Sequence, residues 1–226
     1  MKLLVGTAAT ALAGCAQLFP TRYRFRLTVE VETPSGLLAG FSVFEAWANH
    51  HTGILFDERS RDWGVKGQAV AVDLPNGRVL FALLKTANPM RNDLAQVSMA
   101  ALDPAFANDI VDSAGRISAR RAIRPSATLA VSDYPLLVTF RDLQDPTSVE
   151  QVNPADLAST FGLGVELVRV TVGVTDDPVT TEIEQRLEWL ARQRGSLVKW
   201  AQGDKSLDRP IGMTITEMDF SSEIVR

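Results

Sequence analysis

Residues 22–32, RYRFRLTVEVE, alternate without a break. Tyr23, Phe25, Leu27, Val29 and Val31 fall on one face. Arg22, Arg24, Arg26, Thr28, Glu30 and Glu32 fall on the other. A strand turns successive side chains to opposite faces, so this stretch has one dry side only as a β-strand; a helix would scatter the apolar set around its axis. One dry and one wet face is the pattern of an antiparallel sheet covered on a single side. The rest of the chain must therefore supply partner strands and a second layer.

The partners are read from the turns. Thr33-Pro34-Ser35-Gly36 has proline second and glycine fourth, which makes it a turn. FSVFEAWANHH, residues 41–51, then pairs antiparallel with the first strand. DERSRD, residues 57–62, reads as a charged loop that leads to Trp63. VKGQAVAVDL (65–74) and RVLFALLK (78–85) read as a third and a fourth strand. Asn76-Gly77 between them is the strongest short-range hairpin signal in the chain. The N-terminal half is expected to be an antiparallel meander.

Helices enter afterwards. Asn88-Pro89 is a helix-start signal for residues 88–109, and DYPLLVTFRD (133–142) reads as a central strand. Asn153-Pro154 opens a short helix that Gly162 closes. VELVRVTVGV (165–174) puts Val168, Val170, Val172 and Val174 on one face. TDDPVTTEIEQRLEWLARQRG (175–195) reads as the clearest helix: Thr181 and Glu184 form a capping box, and Ile183, Leu187 and Leu190 form its buried stripe. IGMTITEMDF (211–220) reads as a last strand. The expected fold class is α+β, mainly antiparallel sheet with two or three packed helices, as one domain over residues 22–226. The alternative is two separately folding halves joined near residues 88–130.

Composition limits the function classes. With 46% hydrophobic and 22% charged residues, the chain can bury a core, and disorder is excluded over most of its length. A net charge of -4 offers no global attraction for nucleic acid. The densest basic cluster, Arg116, Arg120, Arg121 and Arg124, lacks interleaved aromatics, so no nucleic-acid partner is expected. Cys15 is the single cysteine, so no intrachain disulfide can form.

The N-terminus has a charged start at Lys2, an apolar middle from Leu3 to Ala13, and then Gly14-Cys15. That middle is too short for a spanning helix, which needs about 20 residues. The stretch resembles the bacterial lipoprotein signal, with Leu12-Ala13-Gly14-Cys15 matching its lipobox position for position. The resemblance implies cleavage before Cys15, lipidation of the Cys15 thiol and acylation of the new N-terminus. Residues 1–14 would be the signal peptide and residues 15–21 the lipidated anchor and linker. Two or three acyl chains hold a protein on a membrane where one does not. Ala16 after the cysteine points, by analogy with enterobacterial sorting, to the outer membrane, with the domain facing the periplasm. Three blocks, YRFRLTVEVETPSGL, GQAVAVDLPNGRVLFALL and residues 133–190, together resemble a group of uncharacterised proteobacterial proteins, often with lipoprotein-type leaders. That group brings no activity with it.

The search for chemistry is mostly negative. There is no G-x-S-x-G elbow, P-loop, G-x-G-x-x-G or H-E-x-x-H. His50 and His51, the only histidines, would point to opposite faces of a strand, which disfavours chelation even with Asp57, Glu58 or Asp62 nearby. Asp176 and Asp177 read as helix caps, and Asp142 and Asp145 as loop residues without the glycine of a calcium loop. Trp47 and Trp200 remain unassigned between core and groove, whereas Trp189 reads as core. No catalytic, metal-binding or cofactor-binding residue is assigned. Trp63 is the best candidate for an exposed contact residue, with Arg22, Arg24 and Arg26 as a second set. Those arginines form either a phosphate or headgroup patch or, as expected here, a solvated face beside glutamates. The expected function is a lipid-anchored envelope protein that binds an envelope partner or serves a structural role. The alternatives are a lipid-anchored hydrolase using carboxylates and an unprocessed cytosolic domain.

Overall fold

The computed structural model of the chain describes residues 21–50, 61–75, 77–88, 93–104, 115–117, 125–199 and 209–223. Strand β1 (Thr21–Thr33) takes the alternating stretch and pairs along its whole length with β2 (Gly36–His50), closing on Thr33 opposite Gly36. Pro34 and Ser35 make the turn, and the Thr33 hydroxyl accepts the Ser35 N–H and donates to the Gly36 carbonyl. The remaining strands are β3 (Arg61–Lys66), β4 (Val70–Asp73), β5 (Val79–Thr86), β6 (Ser126–Thr128), β7 (Pro135–Phe140), β8 (Val149–Gln151) and β9 (Glu166–Val174). Helix α1 (Leu94–Leu102) and the single turn α2 (Ala158–Phe161) accompany them. Among the described residues every strand pairing is antiparallel. One sheet runs β3-β2-β1-β9-β6 and the other β4-β5-β7-β8. The α+β class with mostly antiparallel sheet is therefore what the chain adopts.

The expected meander is divided between the two sheets. The chain leaves the first sheet at Gly67 (φ 151°), where a Cβ would lie 2.6 Å from the Phe44 ring. The stretch read as one strand, 65–74, is thus the end of β3, a corner and β4. Trp63, expected in a polar loop, stands on β3 opposite Ala48. The two sheets meet closely at Gly40, where any Cβ would collide with the Ala71 carbonyl of β4.

The inner face of β1 is fully dry: Phe25, Leu27, Val29 and Val31 are 0% exposed. Each such side chain stabilises by about 1.5–3 kcal/mol relative to exposure, against about 0–1 kcal/mol for a surface ion pair. The core face therefore decides the fold. β7 is buried at every position, as expected of a central strand, and sits between β5 and β8. Phe81, Phe140, Trp189 and Phe220 pack edge-on or tilted with centroids 5.7–5.9 Å apart. Trp189 is core, as read, and its indole N–H donates to the Leu143 carbonyl at 2.9 Å.

Several expected elements are replaced. Residues 175–195 form no α-helix but a 3-10 turn at Ile183–Gln185 followed by further turns. Ile183, Leu187 and Leu190 are buried as the stripe required, but so is Trp189. At about 100° per residue a helix would aim Trp189 roughly 100° away from Leu190, too wide for one face. The segment is also tied from outside: Thr180 exchanges two bonds with Val43 of β2, and the Ile183 N–H donates to the Gln68 side chain. Thr181 and Glu184 consequently make no capping box, and Asp177 caps no helix. The expected last strand is two 3-10 turns, Ile211–Met213 and Glu217–Asp219. Thr216 and Asp219 bond reciprocally there, a capping box that outweighs the alternation. α1 begins at Asp93 rather than at Asn88. Val168 is 45% exposed, because a β-bulge between Glu30 and Val31 of β1 shifts the register of β9 and turns it outward. Cys15, Asn76, Pro89, His51, Asp57, Glu58, Trp200, Arg120, Arg121 and Arg124 lie outside the described residues.

Candidate functional site

β3 is an edge strand, and an edge leaves room beside it. The room here is a groove of 540 Å³ lined by Trp63, Val65, Leu84, Lys85, Asp93, Gln96, Met218, Asp219 and Ser222. Four separate stretches of chain build it. β3 contributes Trp63, whose side chain is one of the few large apolar ones left in solvent, at 40% exposure. The start of α1 contributes Asp93 and Gln96. The capping turn at 217–219 contributes Met218, 45% exposed, and Asp219. β5 contributes Leu84 and Lys85.

Asp93 organises one wall. Its carboxylate caps α1 by accepting the Ala95 N–H at 2.7 Å. It also accepts from the Gln96 backbone and from the Trp63 side chain, so the indole is held in one orientation. Burial pushes the Asp93 carboxyl above the usual aspartate range, against the lowering effect of those three donors. Lys85 organises the other wall. Its ammonium donates to Asp219 Oδ2 at 2.9 Å and to the Thr214 carbonyl. Asp219 Oδ2 also accepts the Thr216 N–H at 2.7 Å.

A second depression, of 410 Å³, lies on the opposite face of the first sheet and meets the first only around the β3 edge, at Val65 and Ser222. Arg22, Glu45, Trp47, Lys66 and Glu223 complete it. Arg22 reaches Glu45 at 2.8 Å and Lys66 reaches Glu223 at 2.7 Å. The Trp47 ring lies over Gly64, where a Cβ would be 2.8 Å from it.

Of the four contact residues named from sequence, Trp63 lines the first groove, on the inner side of β3, and Arg22 lines the second depression, on the outer face of the first sheet. Arg24 and Arg26 follow Arg22 along the same outer face of the first sheet. Arg24 bonds Glu45 at 3.4 Å and the Asp177 carbonyl at 3.3 Å. Arg26 binds Asp177 at 2.6 Å and stacks over Phe41 at 4.3 Å. They are the arginines of a charged face with acidic partners, as expected. Asp177 also accepts the Thr175 hydroxyl. Asp142 and Asp145 shape the tight turn ahead of β8 by accepting the Gln144 and Thr147 N–H groups. Among the described residues, no three His, Cys, Asp or Glu side chains are grouped as metal ligands.

Sequence reading missed Lys85, Asp93, Gln96, Met218, Asp219 and Ser222. Two local signals were present: an aspartate directly before the apolar run LAQV, and the Thr-x-x-Asp pattern at 216–219. The fold and groove define an α+β protein with a lateral groove beside β3. Compared with known proteins, the chain matches no family model, no curated protein and no solved structure.

Proposed function

We propose that this chain is a lipid-anchored envelope protein, attached through Cys15, whose domain faces the periplasm and holds a ligand in the Trp63 groove. The observation that carries the binding reading is the groove wall. An indole bonded to Asp93 and a methionine face solvent in the groove, where Lys85 is paired with Asp219. Preformed apolar contact area beside a few placed polar groups suits holding a ligand. The lipobox supports the anchor, and no helix among the described residues is long and apolar enough to cross a membrane by itself. Arg22 follows Cys15 by seven positions, a reach of at most about 25 Å, so the start of β1 would lie close to the bilayer.

The anchor is tested by palmitate labelling and fractionation. Wild type is expected to label and to pellet with outer membrane, and Cys15→Ser to do neither. An unlabelled, soluble wild type would overturn the anchor and favour an unprocessed cytosolic domain. One observation favours the hydrolase alternative: Asp93, with its raised affinity for a proton, shares the groove with Asp219, held by Lys85. Binding remains the better reading, since both carboxylates are occupied as caps. Product release from a bound ligand that stops in Asp93→Asn would reverse that order.

A further inference from the structure

We infer that the Trp63 groove takes a small protonated alkylamine, its ammonium group held by Asp93 and its alkyl chain laid against Trp63. The inference rests on the binding reading above and names its ligand class. Charge carries it. Three ionisable side chains line the groove: Lys85, Asp93 and Asp219. Lys85 and Asp219 cancel, since they are bonded at 2.9 Å and their side chains are only 16% and 17% exposed. Asp93 is the remainder. Its carboxylate accepts from the Ala95 and Gln96 backbone and from the Trp63 side chain, all neutral donors, and no cation among the described residues bonds it. It binds a proton more readily than an ordinary aspartate, as a part-buried carboxylate does when nothing positive stands beside it.

That remainder selects the sign of the ligand. An anion would be repelled by Asp93. A neutral ligand would cover the carboxylate and deepen its desolvation without compensating it. A cation supplies the missing charge and takes the place of the proton. The donors already on Asp93 narrow the choice further. A carboxylate has about four acceptor positions, and three donors reach this one. One more N–H can be accepted, which a primary ammonium has and a quaternary one lacks. The Gln96 side chain lines the same groove and makes no hydrogen bond among the described residues, so its carbonyl is a second acceptor for the same ammonium.

The apolar surroundings suit an alkyl stem. Trp63 and Met218 are 40% and 45% exposed, and Val65 and Leu84 line the groove with them. A cation over an indole also gains from the negative face of the ring. A volume of 540 Å³ has room for a small amine with its remaining water. A lysine side chain carried on a peptide that extends the β3 edge is disfavoured. The main chain just past β3 is already paired at Gly67, its N–H with the Ser222 hydroxyl and its carbonyl with the Ser222 N–H.

The test titrates the full chain carrying Cys15→Ser with pentylammonium at neutral pH. Pentan-1-ol is the uncharged comparator of the same length, pentanoate the anionic one, and an end-blocked Gly-Lys-Gly tripeptide the peptide one. Calorimetry and indole fluorescence are the readouts. Pentylammonium is expected to bind about tenfold or more tighter than pentan-1-ol, and pentanoate not at all. Asp93→Asn keeps a capping side chain and removes the charge, so it should weaken the amine about tenfold and leave pentan-1-ol unchanged. A merely structural role of Asp93 would weaken both alike. Trp63→Leu keeps an apolar side chain and should weaken the amine about threefold. Pentan-1-ol or pentanoate binding as tightly as the amine, and weakened by Trp63→Leu, would keep the groove and overturn the amine. Tighter binding of the tripeptide than of pentylammonium would overturn the free amine as ligand. Binding of no probe, or binding indifferent to both variants, would overturn the amine and the groove together.

Discussion

Asp93 shows how one side chain joins fold and site. It closes the first turn of α1, and through the same carboxylate it sets the indole that faces the groove. Its folded carboxyl holds a proton more tightly than an ordinary aspartate, because burial outweighs the N–H bonds it accepts. The native state then carries more protons than the unfolded chain between the ordinary value, 3.8, and the raised one. In that window stability falls as pH rises, and the loss is complete above the raised value. Asp73, paired with both Nη atoms of Arg186, and Asp145 act in the opposite sense. Their lowered values cost stability only as pH falls below 3.8, so the two windows do not overlap. Asp93→Asn keeps a capping side chain and removes the titration. Urea midpoints measured in steps upward from pH 3.8 are expected to decline in wild type and to stay level in the variant. Asp93→Ala is expected to lower stability by about 1 kcal/mol at the acid end of the window, the loss of the cap itself, and by less above it, where wild type has already lost part of that contribution. A wild-type midpoint that rises across the same window would show that Asp93 is stabilised as the anion.

Among the elements, β1 was the most legible, because one dry face imposes a period that nothing else explains. The Thr33–Gly36 turn, the 74–78 turn and the buried β7 were legible for similar local reasons. β6 and β8 have three residues each and no period of their own; they exist because β9 and β7 offer an edge. The 183–190 stripe was read correctly as buried and wrongly as helical, since an apolar spacing of three and four does not by itself exclude a run of turns. The groove was half legible. An isolated tryptophan among charges announces exposure, but Lys85, Asp93 and Asp219 come from distant stretches and meet only through strand pairing. The β1–β9 pairing also holds a tension that no single-strand reading shows. Glu32 and Glu166 are direct cross-strand partners, both exposed, with no cation bonded to either among the described residues. Like charges directly opposite destabilise a sheet. Glu166→Lys turns the pair into an attractive one and is expected to stabilise by about 0.5 kcal/mol, read as a higher urea midpoint. The gain should shrink at high salt, since both groups are in water. An unchanged midpoint at low salt would mean that the bulge beside them already holds the two carboxylates apart.

At the scale of the molecule the two halves of the sequence are interleaved. The first sheet takes β1, β2 and β3 from before residue 67 and β6 and β9 from after residue 125; the second takes β4 and β5 from before residue 87 and β7 and β8 from after residue 134. β1 loses one complete edge without β9, and β5 loses one without β7. The core is one contiguous cluster that runs from Tyr23 to Phe220. The aromatic group at its centre needs Phe81 from the first half and Phe140, Trp189 and Phe220 from the second. Two separately folding halves would each expose the face that the other covers. Residues 1–88 expressed alone would cover the dry face of Phe25, Leu27, Val29 and Val31 with the β4–β5 hairpin only, and would lack β7, β8, α1 and the aromatic group that complete the burial. Both fragments, 1–88 and 89–226, are therefore expected to lack cooperative unfolding and to bind a hydrophobic dye. The full chain should unfold in one transition, with far-ultraviolet dichroism and tryptophan fluorescence coinciding. Trp189 makes the comparison sharp, because its fluorescence reports the shared aromatic group while the dichroism reports both sheets. Were the halves independent, the two signals would separate, and one fragment would keep the midpoint that it shows in the whole chain.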